Sequence, residues 1–242
     1  MNALLDIQSV SKSFRALRAV TNASFTVEPN TIAALIGPNG AGKTTLFNMV
    51  AGVLVPDSGA IWFSGQRIDG FRPDQICGRG IARTFQMVKP FAGLSVLDNV
   101  IVGALKRSSG IHDARKSAAS ILDELDLGPK RDFPASSLTL PDRKKLEVAR
   151  ALATRPQLLL LDEVMAGMRP AECEQLVALL REINRRDGIT ILLIEHVMRA
   201  VMALAGKVIV LHHGEVIAQG SAGQAVRDPA VLECYLGEDA EL

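Results

Sequence analysis

Residues 37 to 44 read Gly37-Pro38-Asn39-Gly40-Ala41-Gly42-Lys43-Thr44 and fit the pattern G-x-x-x-x-G-K-[ST] in full. The octet follows an apolar run, Thr31 to Ile36, with the short bounded character of a strand. It opens a helix-like run from Thr45 to Val50. Glycines allow successive backbone N–H groups to converge on a β-phosphate at the positive end of a helix. Lys43 then sets a charge against the β- and γ-phosphates, and the Thr44 hydroxyl suits Mg²⁺. A ligand-free glycine-rich turn is the bland alternative. The complete octet between a strand and a helix favours a nucleotide cradle running from Gly37 to Thr45.

Further along, Leu158-Leu159-Leu160-Leu161-Asp162-Glu163 places two acids after a fully apolar strand-like run. Open α/β sheets hold ligands at the carboxyl ends of their strands. Asp162 is therefore expected on the Mg²⁺ shell. Glu163, one residue on, is expected to orient or deprotonate a water that attacks the γ-phosphate, since phosphoryl chemistry depends on positioning and charge. Acids also follow strands as plain loop residues. Pairing with the octet favours the functional reading.

Around these anchors the texture alternates. Ser24 to Val27 and Ala60 to Phe63 read as strands, and from about Ser95 helical spacing takes over (Val96, Leu97, Val100, Ile101, then Ala118, Ile121, Leu122, Leu125). After Pro156 a strand, a helix over Glu172 to Arg185 and a second strand over Ile189 to Ile194 imply a parallel crossover. Val208 to Leu211, the turn His212-His213-Gly214 and Glu215 to Ala218 suggest an antiparallel hairpin, with a last helix from Gln224 to Leu236. His212 and His213 are expected exposed rather than metal-bound.

At 242 residues and 48% hydrophobic, the chain suits one substantial core with an inserted piece. Its 27 basic and 26 acidic residues are interleaved and aromatics are few, which argues against nucleic acid as a partner. Three scattered cysteines (Cys77, Cys173, Cys234) read as reduced structural thiols. The amino terminus lacks the apolar core of an export signal. The apolar runs are shorter than the ~18 to 20 residues a membrane span requires.

Together these motifs resemble the ATP-binding-cassette (ABC) ATPases, from near residue 5 to the carboxyl end. Arg83-Thr84-Phe85-Gln86 matches the glutamine loop, Ile194-Glu195-His196 the switch histidine, and Phe14 the aromatic that stacks on adenine. Ala166-Gly167-Met168 falls where the family has its dimer-contacting loop. The resemblance implies a single α/β domain over 1–242. A P-loop NTPase (RecA-like) core with an antiparallel β subdomain would occupy 1–86 and 155–220, an inserted helical subdomain 87–154, and a carboxyl-terminal helical extension 221–242. It further implies ATP and Mg²⁺, with Glu163, His196 and Gln86 in catalysis, Thr44, Gln86 and Asp162 about the metal, and Phe14 and Thr139 among the nucleotide contacts.

Finer features (Gly80 to Gln86, Leu94 to Asn99, Ala166 to Glu172, Leu192 to Met198, Cys234 to Gly237) are similar to the ATP-binding subunits of branched-chain amino acid (LIV-type) importers. That branch also serves urea, short amides and aromatic acids. The implied partners are transmembrane permease subunits, a second cassette, identical or different, and indirectly a solute-binding protein. The implied location is the cytoplasmic face of the inner membrane, held there by the permease. A soluble ABC ATPase unconnected to transport is the rival reading.

One stretch departs from the family. Leu138-Thr139-Leu140-Pro141-Asp142 stands at the signature position, where Leu-Ser-x-Gly-Gln is usual and the helix start faces the γ-phosphate held by the opposite subunit. Thr139 is expected to cap the helix, with Asp142 completing a capping box. Pro141 is tolerated in a first turn but removes one N–H, and Asp142 adds a carboxylate. Arg143, Lys144 and Lys145 are expected around a solvated face.

Overall fold

The computed structural model describes residues 3–84, 90–225 and 227–236, so Gln86 lies outside the described residues. The chain opens with strands β1 (Leu5–Phe14), β2 (Leu17–Val27) and β3 (Ile32–Ile36), then helix α1 (Lys43–Val50). Strands β4 (Ser58–Phe63) and β5 (Gln66–Arg67), helix α2 (Pro73–Gly78) and strand β6 (Ile81–Arg83) follow. Next come helices α3 (Val96–Ala104), α4 (Ile111–Glu124) and α5 (Leu140–Leu152), then strand β7 (Leu158–Asp162), helix α6 (Pro170–Asp187) and strand β8 (Thr190–Ile194). Helix α7 (Met198–Leu204), the pair β9 (Lys207–His212) and β10 (Glu215–Gly220), and helices α8 (Ala222–Ala225) and α9 (Pro229–Leu236) complete it.

Among the described residues these strands form two sheets. One is antiparallel, in the order β2-β1-β4-β5. The other runs β10-β9-β3-β8-β7-β6, parallel throughout except for β10, which returns antiparallel on β9. In the parallel sheet, side-chain alternation divides the interior in two. Ala34, Ile36, Leu159, Leu161, Ile191 and Leu193 face the core built with α3 to α7, whereas Ala33, Leu35, Leu158, Leu160, Leu192 and Ile194 face α1 and the antiparallel sheet. Burial on both faces is why β3, β7 and β8 read as unbroken apolar runs.

Three local expectations change. The single helix over 224–236 is two, because Pro229 lacks an N–H to continue a helix and instead starts α9. Strand β1 escaped the sequence reading because its alternation slips at Ser9 (φ 47°), where the pairing with both neighbours is irregular. The capping box at Thr139 does not form: no backbone N–H reaches the Thr139 side chain, whose hydroxyl donates instead to Asp142 Oδ2 at 2.7 Å.

Candidate functional site

Because β3, β7 and β8 run parallel, their carboxyl ends share one edge. The register pairs Leu35 with Ile194 and Ile194 with Asp162, so the octet after β3, the acids after β7 and His196 after β8 emerge together. The octet is threaded tightly between neighbours. At Gly37 (φ 147°) a Cβ would lie 1.9 Å from the Leu211 carbonyl oxygen, and at Gly42 (φ 101°) one would lie 2.2 Å from that of Ala19. Only glycine meets both the torsion and the space. Gly42 is the N-cap of α1, no side chain caps that helix, and its first turn carries no acid. The first-turn N–H groups and the positive end of the helix dipole thus face outward toward an anion. Lys43 is buried, and its Nζ donates to the carbonyls of Gly37 and Pro38, each at 2.6 Å.

Asp162 is wholly buried at the end of β7. Its Oδ2 accepts from Arg83 Nη2 at 2.8 Å, while Oδ1 is buried without a hydrogen-bond partner among the described residues. Arg83 also donates to Asn48 Oδ1 of α1 at 2.5 Å, so one guanidinium joins the end of β6, the end of β7 and the helix after the octet. Glu163 has φ 50°, a left-handed torsion uncommon outside glycine that turns the chain sharply. Its Oε1 lies 2.8 Å from His196 Nε2. Both side chains line a cavity of about 460 Å³ together with Gly40 to Thr45, Phe14 and His213.

Residues 20–166, more than half of the chain, match the family model described as "ABC transporter". The chain belongs to the ABC transporter family. Residues 215–241 of this cassette match a second model, "Branched-chain amino acid ATP-binding cassette transporter". Two curated relatives align over 97% of the chain and 98% of their own length. They are the high-affinity branched-chain amino acid transport ATP-binding proteins LivG of Escherichia coli K12, 36% identical, and BraF of Pseudomonas aeruginosa, 34% identical. Among solved structures, the ADP conformation of MJ1267, an ATP-binding cassette of an ABC transporter, superposes with TM-score 0.89 at 29% identity, covering 98% of this chain and all of that one. The cassette is an ATPase of this family, with ATP as its substrate.

The remaining site residues divide. Phe14 ends β1 on the cavity rim, 43% exposed, and is not a core residue. Thr139 lies apart, in a second groove shared with Pro141, Asp142, Lys130 and the start of α6. There Asp142 accepts from Lys130 Nζ at 2.5 Å as well as from Thr139. Burial pushes its carboxyl up, but those hydrogen bonds and the charges of Lys130 and Lys145 outweigh it and hold the group below the usual carboxylate range.

The basic run after Asp142 is not a solvated face. Arg143 reaches the Ser136 carbonyl, Lys145 pairs with Asp126, and Lys144 turns inward. Sequence reasoning also passed over two polar groups. Glu195 is buried, its carboxyl raised by burial, and its Oε1 accepts the Met165 N–H at 2.9 Å. Arg83 was visible only as part of the glutamine-loop motif. No local pattern marks its role, because the pairing of its strand with that of the buried acid is set by tertiary packing.

Proposed function

We propose that this cassette hydrolyses MgATP to drive uptake of branched-chain amino acids, or of related small solutes such as amides, urea or aromatic acids. Permease subunits that it engages from the cytoplasmic face of the membrane carry the solute. One observation carries the hydrolytic half: the Glu163 carboxylate, held 2.8 Å from His196, faces the same cavity as Lys43 and Thr44. A carboxylate so placed accepts a proton from an attacking water, and the imidazole fixes its orientation. Bound triphosphate would draw Lys43 Nζ from two neutral carbonyls to charged oxygens, a stronger set of acceptors.

Mg²⁺ fits the donors present. Thr44 and Asp162 offer a hydroxyl and a carboxylate, both hard oxygen ligands, and the unpartnered Asp162 Oδ1 has capacity to spare. Among the described residues no three His, Cys, Asp or Glu side chains gather into a metal site, so the phosphates and water would complete the shell. The ion supplies charge neutralisation on the β- and γ-phosphates. Gln86 is proposed as a further ligand on the family resemblance.

The transport half rests on the relatives, which are named as transport proteins and align along nearly the whole chain, and on the carboxyl-terminal match. Among the described residues no helix is long and apolar enough to cross a membrane, so contact with the bilayer would come through the permease. A groove of about 260 Å³ lies where α2 and β6 meet α3 and α5, with Val53 and Val102 exposed in its lining. It supports docking of a permease helix against the lobe of helices α3 to α5. The altered signature start, with Pro141 in place of an N–H donor and a carboxylate pinned beside it, favours pairing with a different cassette over two identical ones.

The test is uptake of radiolabelled leucine by cells lacking this chain. Uptake is expected to fall, and to be restored by the wild-type chain but not by Lys43→Ala. Undiminished uptake of leucine, amides and aromatic acids in the deletion strain would contradict the reading.

A further inference from the structure

Lys144 sits in the second turn of α5, only 4% exposed, and its Nζ donates to the Glu163 carbonyl at 2.9 Å. An ammonium buried this deeply is costly unless it is compensated. Burial does pull the Lys144 pKa down, while the carboxylates of Glu195, Glu163, Asp162 and Glu147 act to keep it charged. The acceptor is the main chain of the proposed base itself. That residue is fixed at both ends: the Glu163 N–H donates to the Ile194 carbonyl of β8 at 2.9 Å, and its own carbonyl accepts Lys144 Nζ of α5 at 2.9 Å and, less closely, the Ala166 N–H at 3.2 Å. Between them Glu163 holds its left-handed φ of 50°.

We infer that Lys144 is a positioning residue for hydrolysis, a tether through which α5 sets the torsion of Glu163 and thereby aims its carboxylate. The inference rests on Glu163 being the base. Side-chain direction follows from the backbone torsions, so a carbonyl released by α5 and left with only the longer Ala166 N–H bond lets the turn relax toward ordinary φ and swings the carboxylate away from His196. Misplacement of a catalytic group by about 1 Å costs on the order of 100-fold in rate. The same bond gives the helical layer a mechanical hold on the acid. Because α5 begins at Leu140 beside the Thr139–Asp142 contact, a displacement of the helix start is transmitted along one rigid helix to the Glu163 carbonyl. Substrate binding does not pass through this bond, since Lys43 donates within the octet itself, to the Gly37 and Pro38 carbonyls.

Lys144→Met, Lys144→Arg and Glu163→Gln, each purified as the full chain, test this by steady-state ATPase rate and by affinity for a fluorescent ATP analogue. Lys144→Met is expected to lower kcat about 10- to 100-fold while Kd stays within about threefold. Lys144→Arg, which keeps a charged donor, is expected to stay within about threefold of wild-type kcat. Unchanged kcat in Lys144→Met, a loss of affinity matching the loss of rate, or an arginine variant no better than methionine would each overturn the inference. Should Lys144→Met fail to fold, Lys144→Gln, which is polar but one bond too short to reach the Glu163 carbonyl and carries no charge, is expected to show the same loss of kcat with Kd held within about threefold. Failure of the underlying reading looks different: Glu163→Gln would then turn over normally.

Discussion

Asp162 shows how one residue serves stability and chemistry together. Its carboxylate is entirely buried, and the Arg83 guanidinium supplies the charge that makes burial tolerable. Removing one member of a buried pair strands the other, at a cost of about 3 to 5 kcal/mol. Arg83→Met is therefore expected to lower the free energy of unfolding by about 3 kcal/mol or more in urea titrations. A change below about 0.5 kcal/mol would show that the pair is not what holds the acid. At this scale the sequence was legible where chemistry is local: Lys43, Thr44, Asp162 and Glu163 follow from contiguous motifs. Lys144 and Glu195 were not, because the partner that makes each buried charge tolerable lies far along the chain. A trace of Lys144 was present, since it shares a helix face with Val148 and Ala151, both buried.

Helix α5 carries the clearest departure from expectation among the elements. A threonine three residues before an acid usually satisfies two backbone N–H groups, yet here the two side chains bond each other and Lys130 takes the carboxylate. Pro141 explains part of this: as an early helix residue it withdraws one of the donors a capping side chain would meet. The folded-state pKa of Asp142 is depressed, so its contribution is present above the unfolded carboxyl value near pH 4 and lost as pH falls through the lower folded value. Asp142→Gln is expected to reduce stability by about 1 kcal/mol or less at pH 7, because Lys130 is well exposed, with the difference shrinking in thermal melts as the pH falls from about 4 through the lower folded value. A difference that does not shrink at all as the pH falls below about 4 would assign the effect to packing. Combined with Pro141→Gly, the same change is expected to raise the ATPase rate of the chain acting alone, and no change would remove the argument for an unlike partner cassette. The parallel strands, by contrast, were readable in advance because burial on both faces writes a continuous apolar run. Strand β1 was not, since its bulge breaks the period.

For the molecule as a whole, one sheet separates two layers and gathers the chemistry at a single edge. The octet belongs to the layer of α1, and α5 belongs to the opposite layer, yet both reach Asp162 and Glu163 from either side through Arg83 and Lys144. The α/β class and the parallel crossover could be read from apolar runs and spacing alone. The order β10-β9-β3-β8-β7-β6 could not, because strand neighbours are chosen by tertiary packing that no local pattern records. What this arrangement does is open to a direct check: purified Glu163→Gln mixed with MgATP, with retained nucleotide and released phosphate both measured. The account predicts ATP bound with affinity near that of the wild type and phosphate release slowed by about 100-fold or more. Phosphate release at the wild-type rate, with ATP bound as tightly, would contradict it.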